Sequence, residues 1–248
     1  MSEHARRVRE PKIFSTIFQR WYAAERKFLF PSIKYSQSQI ISLWKNIPRL
    51  GGGYCPSVWN KILHCGGSDR LPSHLGSGAL VFYQEAAQYY VKASGKVPYF
   101  KKNGKVCAPP HGRFVDCAGE QSPILVAILS SSLFYLWYQA ISDCYHLSDA
   151  VVQAFPCPRS VLADSTLRTL GRRLETELHK NAKIVKISTT KGEEIAYAAF
   201  NCQASKSIND EIDDVLGRQF GLSNEELDYV INFEVKYRMG AEASEDVE

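Results

Sequence analysis

Residue types that could do chemistry gather at a few places in this chain. Asp143 and His146 flank Cys144 and Tyr145 directly behind a long apolar run. A cysteine-histidine pair works as nucleophile and base only with an orienting group and an oxyanion site. Cys144 and His146, two residues apart on one loop, are poorly disposed to bond each other, so the cluster reads as a structural turn or a polar contact surface. Two Glu-x-Lys triplets occur, Glu25-Arg26-Lys27 and Glu234-Val235-Lys236. In metal-dependent nucleases such a triplet sits on a strand, where carboxylates hold Mg2+ and the lysine steadies the attacked phosphate. Both triplets here fall in helix-like sequence and read as surface charge. Gly51-Gly52-Gly53 has no strand before it and no Gly-Lys-Ser/Thr after it, so it is a joint and not a phosphate loop. The seven cysteines lack the Cys-x-x-Cys spacing of a zinc site and read as buried thiols. No catalytic residue and no metal ligand emerges from these patterns.

The charge pattern says more. Over 248 residues the formal net charge is +4, unevenly spread. Residues 86–115 hold no Asp or Glu but include Lys92, Lys96, Lys101, Lys102, Lys105 and Arg113. From Asn201 onward, twelve acidic residues face four basic ones. A confined basic field suits a polyanion, such as the phosphates of double-stranded DNA. Within the field, VPYFKKNGKVCA carries the turn dipeptide Asn103-Gly104 and predicts a hairpin. A basic hairpin with aromatics can enter a groove or straddle a phosphate backbone. The six basic side chains are therefore candidates for backbone contact, and Tyr99 and Asn103 for groove contact. The competing reading is that lysines on an exposed hairpin only block edge-to-edge aggregation.

These residues need a scaffold. The stretch from Pro123 to Ile141 is apolar enough to consider a membrane span. Its serine triplet Ser130-Ser131-Ser132, its acidic flanks Glu120 and Asp143, and the lack of a basic collar argue instead for two buried core helices. Ser122 is the expected cap of the first, with Pro123 opening it, and the second runs from Leu133 to about Ser142. Upstream, the spacing predicts an amphipathic helix over 11–30, stopped by Pro31, and a shorter helix over about 38–45. ALVFYQ and YYVK read as strands. Downstream, Asp164 or Ser165 caps a helix with a stripe of Leu167, Leu170, Leu174 and Leu178, which packs against one partner helix, within the chain or from another subunit. KIVKISTTKGEEIAYAAF reads as a hairpin turning at Lys191-Gly192. One C-terminal helix closes at Gly221, and Ser223 with Glu226 forms a capping box for another reaching about Met239.

The expected fold class is α+β: a mixed or antiparallel sheet with hairpins, a buried central helix pair and a C-terminal helical part. The expected divisions are a helical segment over 1–50, an α+β domain over 51–160, a helix, hairpin and helix pair over 161–240, and an acidic tail over 241–248. The charged N-terminus shows no signal-peptide pattern, and with the odd cysteine count this points to the reducing cytoplasm.

Ser131–Leu147 (SSLFYLWYQAISDCYHL), the Phe155-Pro156-x-Pro158 stop and the closing EELDYVINFEVKYRMG resemble a known family. They are similar to the C-terminal target-recognition region of adenine-specific restriction-modification methyltransferases, the type IIG and related enzymes with a TaqI-like specificity domain. The most specific match runs from Asp210-Glu211-Ile212-Asp213 to Lys236-Tyr237-Arg238-Met239-Gly240, and the resemblance covers roughly residues 79–240. It implies a module that reads DNA sequence while an upstream domain, using S-adenosylmethionine, methylates adenine. Catalysis in that family needs an Asn/Asp-Pro-Pro-Tyr/Phe motif and a Gly-rich cofactor turn. Neither stands here, and Ala108-Pro109-Pro110-His111 has only the two prolines. The resemblance thus implies a specificity module that is not catalytic alone, with S-adenosylmethionine and Mg2+ on a methyltransferase or nuclease partner subunit. The helix after Pro158 would serve as spacer or docking element. The alternatives are a docking subunit bound through the N-terminal helix, and a non-functional fragment of a split enzyme.

Overall fold

The serine triplet divides the apolar run in two, because a serine in extended conformation ends one helix and caps the next. Ser131 does this: its hydroxyl donates to Ile128 O (2.7 Å) and accepts from Phe134 N (3.0 Å). The computed structural model describes residues 12–38, 47–87 and 89–238, and the expected helix over about 38–45, residues 1–11 and the acidic tail fall wholly or almost wholly outside them. The strands are β1 (Ile13–Ser15), β2 (Ser36–Ser38), β3 (Ala79–Gln84), β4 (Ala93–Ser94), β5 (Phe100–Lys102), β6 (Lys105–Val106), β7 (Gly112–Cys117), β8 (Lys183–Ser188) and β9 (Glu194–Ala199). The helices are α1 (Leu29–Ser32), α2 (Cys55–Gly66), α3 (Ser122–Ser130), α4 (Ser132–Ile141), α5 (Asp149–Gln153), α6 (Arg159–Leu162), α7 (Ser165–Lys180), α8 (Lys206–Gln219), α9 (Asn224–Ile231) and α10 (Val235–Arg238). All strand pairs are antiparallel, in the orders β1-β2, β4-β3-β7 and β6-β5-β9-β8. The fold class is α+β.

The core is built on α3 and α4, which are buried from Pro123 to Ala140. The two helices are bent by 63°, and no single helix among the described residues is long and apolar enough to cross a membrane. The α3 helix packs on β3 and β4 and also on α7 and α8. The leucine stripe of α7 is fully used here: Leu167, Leu170, Leu174 and Leu178 are all buried in the core. The stripe's partners therefore lie within the chain. The approach is close because Gly171 faces Pro123; a Cβ there would lie 1.9 Å from the Pro123 carbonyl oxygen. Around α4, the Trp59 and Trp137 rings stack at 4.8 Å, and Phe155 meets both Phe134 and Trp137 edge-on.

Asp213 and Arg238 lock this core. Asp213 on α8 accepts from Ser132 N (2.8 Å) and Leu133 N (3.3 Å) at the start of α4. With the Ser131 cap, the first three amides of α4 are thereby satisfied in a dry environment, where each orphan donor would otherwise be costly. Arg238 donates to the Ser132 hydroxyl (2.9 Å) and lies over the Tyr135 ring at 4.5 Å. Burial pushes the Asp213 carboxyl up to about 6, against the pull of Ser132, Arg238 and the two amides.

Several expectations are corrected by tertiary structure. Residues 11–30 do not form a helix: β1 pairs with β2, and a 3-10 helix over Ala23–Phe28 leads into the single turn of α1, which contains Pro31. The Ser15 hydroxyl donates to Pro48 O and accepts from Leu50 N, so hydrogen bonds to the following segment win over local helix periodicity. The aromatics that suggested a buried face are exposed, Phe14 at 59% and Phe28 at 61%. YYVK is not a strand; pairing with β3 starts at Ala93. The cap of α3 is Gln121, with Ser122 and Pro123 as its first residues. The last helix does not run unbroken to Met239. It breaks at residues 232–234, where Glu234 takes φ 50°. That break turns the Glu234 side chain inward, to Arg20 (3.2 Å) and the Tyr135 hydroxyl (3.2 Å).

Candidate nucleic-acid interface

The two sequence hairpins meet. Asn103 and Gly104, with φ of 47° and 80°, make the tight turn between β5 and β6. Gly192, with φ 78°, lies in the turn between β8 and β9. The hairpins join along β5 and β9, with Phe100 opposite Tyr197, Lys101 opposite Ala196 and Lys102 opposite Ile195. Asn103 fixes that junction: its amide N–H donates to Glu194 O (2.8 Å), and its side-chain oxygen accepts from Glu194 N (2.9 Å).

Among the residues of β5, β6, β8 and β9, only Ala198 is buried. This four-stranded sheet therefore offers both faces to solvent. From Tyr99 to Cys107 and from Lys183 to Ala199 it carries six lysines (101, 102, 105, 183, 186, 191) against two glutamates (193, 194). The difference of four equals the net charge of the whole chain. Register puts Lys101, Ala196 and Lys186 in one row across three strands. Two strand spacings separate the lysines, about 9.6 Å, with the small Ala196 between them. Tyr99 and Ile184 extend this face, which holds an open groove of about 580 Å³. On the opposite face Lys102 pairs with Glu193 at 2.8 Å, and Lys105 is exposed beside it.

The structure thus brings five of the eight sequence candidates together: Tyr99, Lys101, Lys102, Asn103 and Lys105. Lys96 is exposed in the loop between β4 and β5. Lys92 is only partly exposed, with its ammonium 5.5 Å from the centre of the Phe200 ring, and burial lowers its pKa. Arg113 on β7 donates to Glu85 (2.8 Å) and Asp149 (3.3 Å), so two carboxylates already offset its charge. The side-chain oxygen of Asn103 already serves the hairpin junction. Sequence reasoning missed Lys183, Lys186 and Lys191. Their hairpin was legible, but its pairing with a strand some ninety residues upstream leaves no local signal.

The other chemical clusters resolve as structure. Asp143 accepts from Tyr145 N (2.9 Å) and His146 N (2.6 Å), and it holds the His146 ring nitrogen Nδ1 at 2.7 Å. Cys144, buried with φ 62°, receives a hydrogen bond from Arg49 (3.2 Å). This is a turn stabilised by an aspartate. The two Glu-x-Lys triplets meet one another, since Lys236 pairs with Glu25 while Glu234 pairs with Arg20. They clamp the N-terminal segment onto α10. Compared with known protein families, curated proteins and solved structures, the chain matches none.

Proposed function

We propose that this chain is the DNA-recognition module of an adenine-specific restriction-modification methyltransferase system, not catalytic by itself. The observation that carries the reading is the four-stranded sheet, solvent-facing on both sides, with six lysines and two glutamates. Lysines spaced across a twisted antiparallel sheet suit the phosphates of duplex DNA, and the narrow β5–β6 tip suits a groove. The resemblance of residues 79–240 to target-recognition regions supports the same assignment. In this reading the chain acts in the cytoplasm, and the methyl transfer, with S-adenosylmethionine and Mg2+, belongs to a partner subunit. The residues here do not fit that chemistry: Ala108-Pro109-Pro110-His111 forms the turn before β7, where the Pro110 carbonyl is held by the Gln84 side chain (2.9 Å).

The test is fluorescence anisotropy of mixed-sequence duplex DNA across a salt series, comparing the protein with Lys101/Lys102/Lys105→Ala and Lys101/Lys186→Ala. Each lysine that contacts a phosphate contributes about 0.9 to the slope of log affinity against log salt. Each variant should therefore bind more weakly and with a shallower slope. Absence of binding at low salt, or slopes unchanged in both variants, refutes the reading. A second reading, docking onto a methyltransferase or nuclease partner, is favoured by the exposed aromatics Phe14, Phe18, Trp21, Phe28 and Phe30. It requires complex formation that tolerates salt.

A further inference from the structure

We infer that the outer edge of β8 is a docking edge for an extended acidic strand of a partner protein. On one side β8 pairs with β9 along all six of its residues, one to one, without a bulge. Its other side faces no strand among the described residues. Edges are protected by shortness, bulges, proline or charged side chains, lysine above all. KIVKIS is long, unbulged and without proline, and it leaves Ile184 at 54% and Ile187 at 45% exposure. Its lysines guard it against another basic strand but not against an acidic one. The opposite edge of the same sheet, β6, is only two residues long.

The chemistry of the edge selects its occupant. A strand edge presents alternating N–H donors and C=O acceptors. A DNA phosphate only accepts, so it leaves the carbonyls unmet, whereas a peptide strand satisfies both. Lys183 and Lys186 then set the charge. They lie three residues apart and so on opposite faces of the strand, each exposed. A second copy of β8 would bring four lysines together, while an incoming strand with acids three residues apart meets one lysine on each face. Beside the edge, the groove lined by Tyr99, Lys101, Ile184 and Lys186 has room for the side chains that such a strand would project on that face. This inference shares Lys183, Lys186 and the groove with the DNA reading, but it differs in using the backbone N–H and C=O groups of β8, so the N-methylated peptides separate the two.

The probe is the labelled peptide acetyl-TEVTEVT-amide, with its two glutamates three apart, titrated against the full chain by anisotropy. Two N-methylated forms, each blocking one alternate set of amides, accompany it, as does the lysine form acetyl-TKVTKVT-amide. The acidic peptide should bind, one N-methylated form should fail while the other binds, and the lysine form should fail. Lys183→Glu/Lys186→Glu should weaken the acidic peptide by about tenfold and admit the lysine form, with circular dichroism unchanged because both side chains are exposed. Absence of binding overturns the proposal. Equal binding of both N-methylated forms also overturns it, since charge alone would then suffice. A dimer in sedimentation velocity that dissociates in Ile184→Lys would assign the edge to a second copy. Tighter peptide binding by Glu242→Gln/Glu245→Gln/Asp246→Asn/Glu248→Gln would assign it to the chain's own acidic segment. Either outcome refutes an external partner.

Discussion

Replacing Asp213 by asparagine tests the logic of the core most directly. Asp213 is 1% exposed and caps α4 through Ser132 N and Leu133 N. An unfolded aspartate titrates near 3.8, whereas burial raises the folded carboxyl to about 6. Between those values the folded protein holds a proton that the unfolded chain releases, so stability falls as pH rises. The contribution of this group is fully present below pH 3.8 and is lost through pH 6, and the interval corresponds to about 3 kcal/mol. Asparagine keeps an acceptor for the two amides but cannot titrate. Urea unfolding followed by tryptophan fluorescence, at intervals from pH 4 to 7, gives the difference in stability between wild type and Asp213→Asn. Wild type should lose about 2 kcal/mol relative to the variant across that range, the rest of the interval falling below pH 4. Glu234, also raised by burial, tilts both proteins alike and cancels in the difference. A difference independent of pH, or one in which wild type gains with pH, refutes the assignment. Asp213→Ala should cost about 3–5 kcal/mol at neutral pH, because it orphans two buried amides and strips Arg238 of a nearby opposite charge.

Two further substitutions probe the close approach of helices and the lysine-bearing sheet. Gly171→Ala gains about 1 kcal/mol of helix propensity but forces α7 away from the Pro123 carbonyl, so a net loss of about 2 kcal/mol should appear as a Tm lowered by several degrees. An unchanged or raised Tm would show that α7 and α3 separate freely. Asn103→Ala removes the acceptor for Glu194 N and places alanine at φ 47°. It should cost about 1–2 kcal/mol locally, seen as faster amide exchange in β5 and β9 with little change in global Tm. Uniform loss of protection across the core would refute a sheet that unfolds on its own.

What the sequence made legible is what short-range chemistry dictates. The Asn103-Gly104 tip, the Ser131 cap, the Asp164 cap with its bond to Leu167 N (2.8 Å) and the Ser223–Glu226 capping box each follow from a few neighbouring residues. The burial of α3 and α4 follows from their lack of polar faces. Residues 11–30 misled because periodicity says which face could be buried, not whether anything lies there to bury it. Phe14, Phe18, Trp21 and Phe28 keep helical spacing in the sequence, yet the backbone at Ile13 pairs with Ser38 and the Ser15 hydroxyl bonds Pro48 O and Leu50 N. Half of the basic surface was legible for the same reason that half was not. Lys101, Lys102 and Lys105 share a hairpin, but Lys183 and Lys186 join them only through the β5–β9 ladder.

The division of labour inside the chain follows from burial. Asp213 and Arg238 are 1% and 5% exposed and serve the start of α4. Buried at that depth, neither can touch a macromolecular partner, and substitution of either must act through stability. The lysines of the sheet are the reverse case: they bear on no core contact, so their replacement should leave the fold intact and alter only what the sheet binds. A protein organised this way can vary its lysine-bearing surface by changing two hairpins while the helix pair and its polar latch stay fixed. That separation makes the sheet variants clean tests of binding and the Asp213 variants clean tests of folding, because neither set touches the residues of the other.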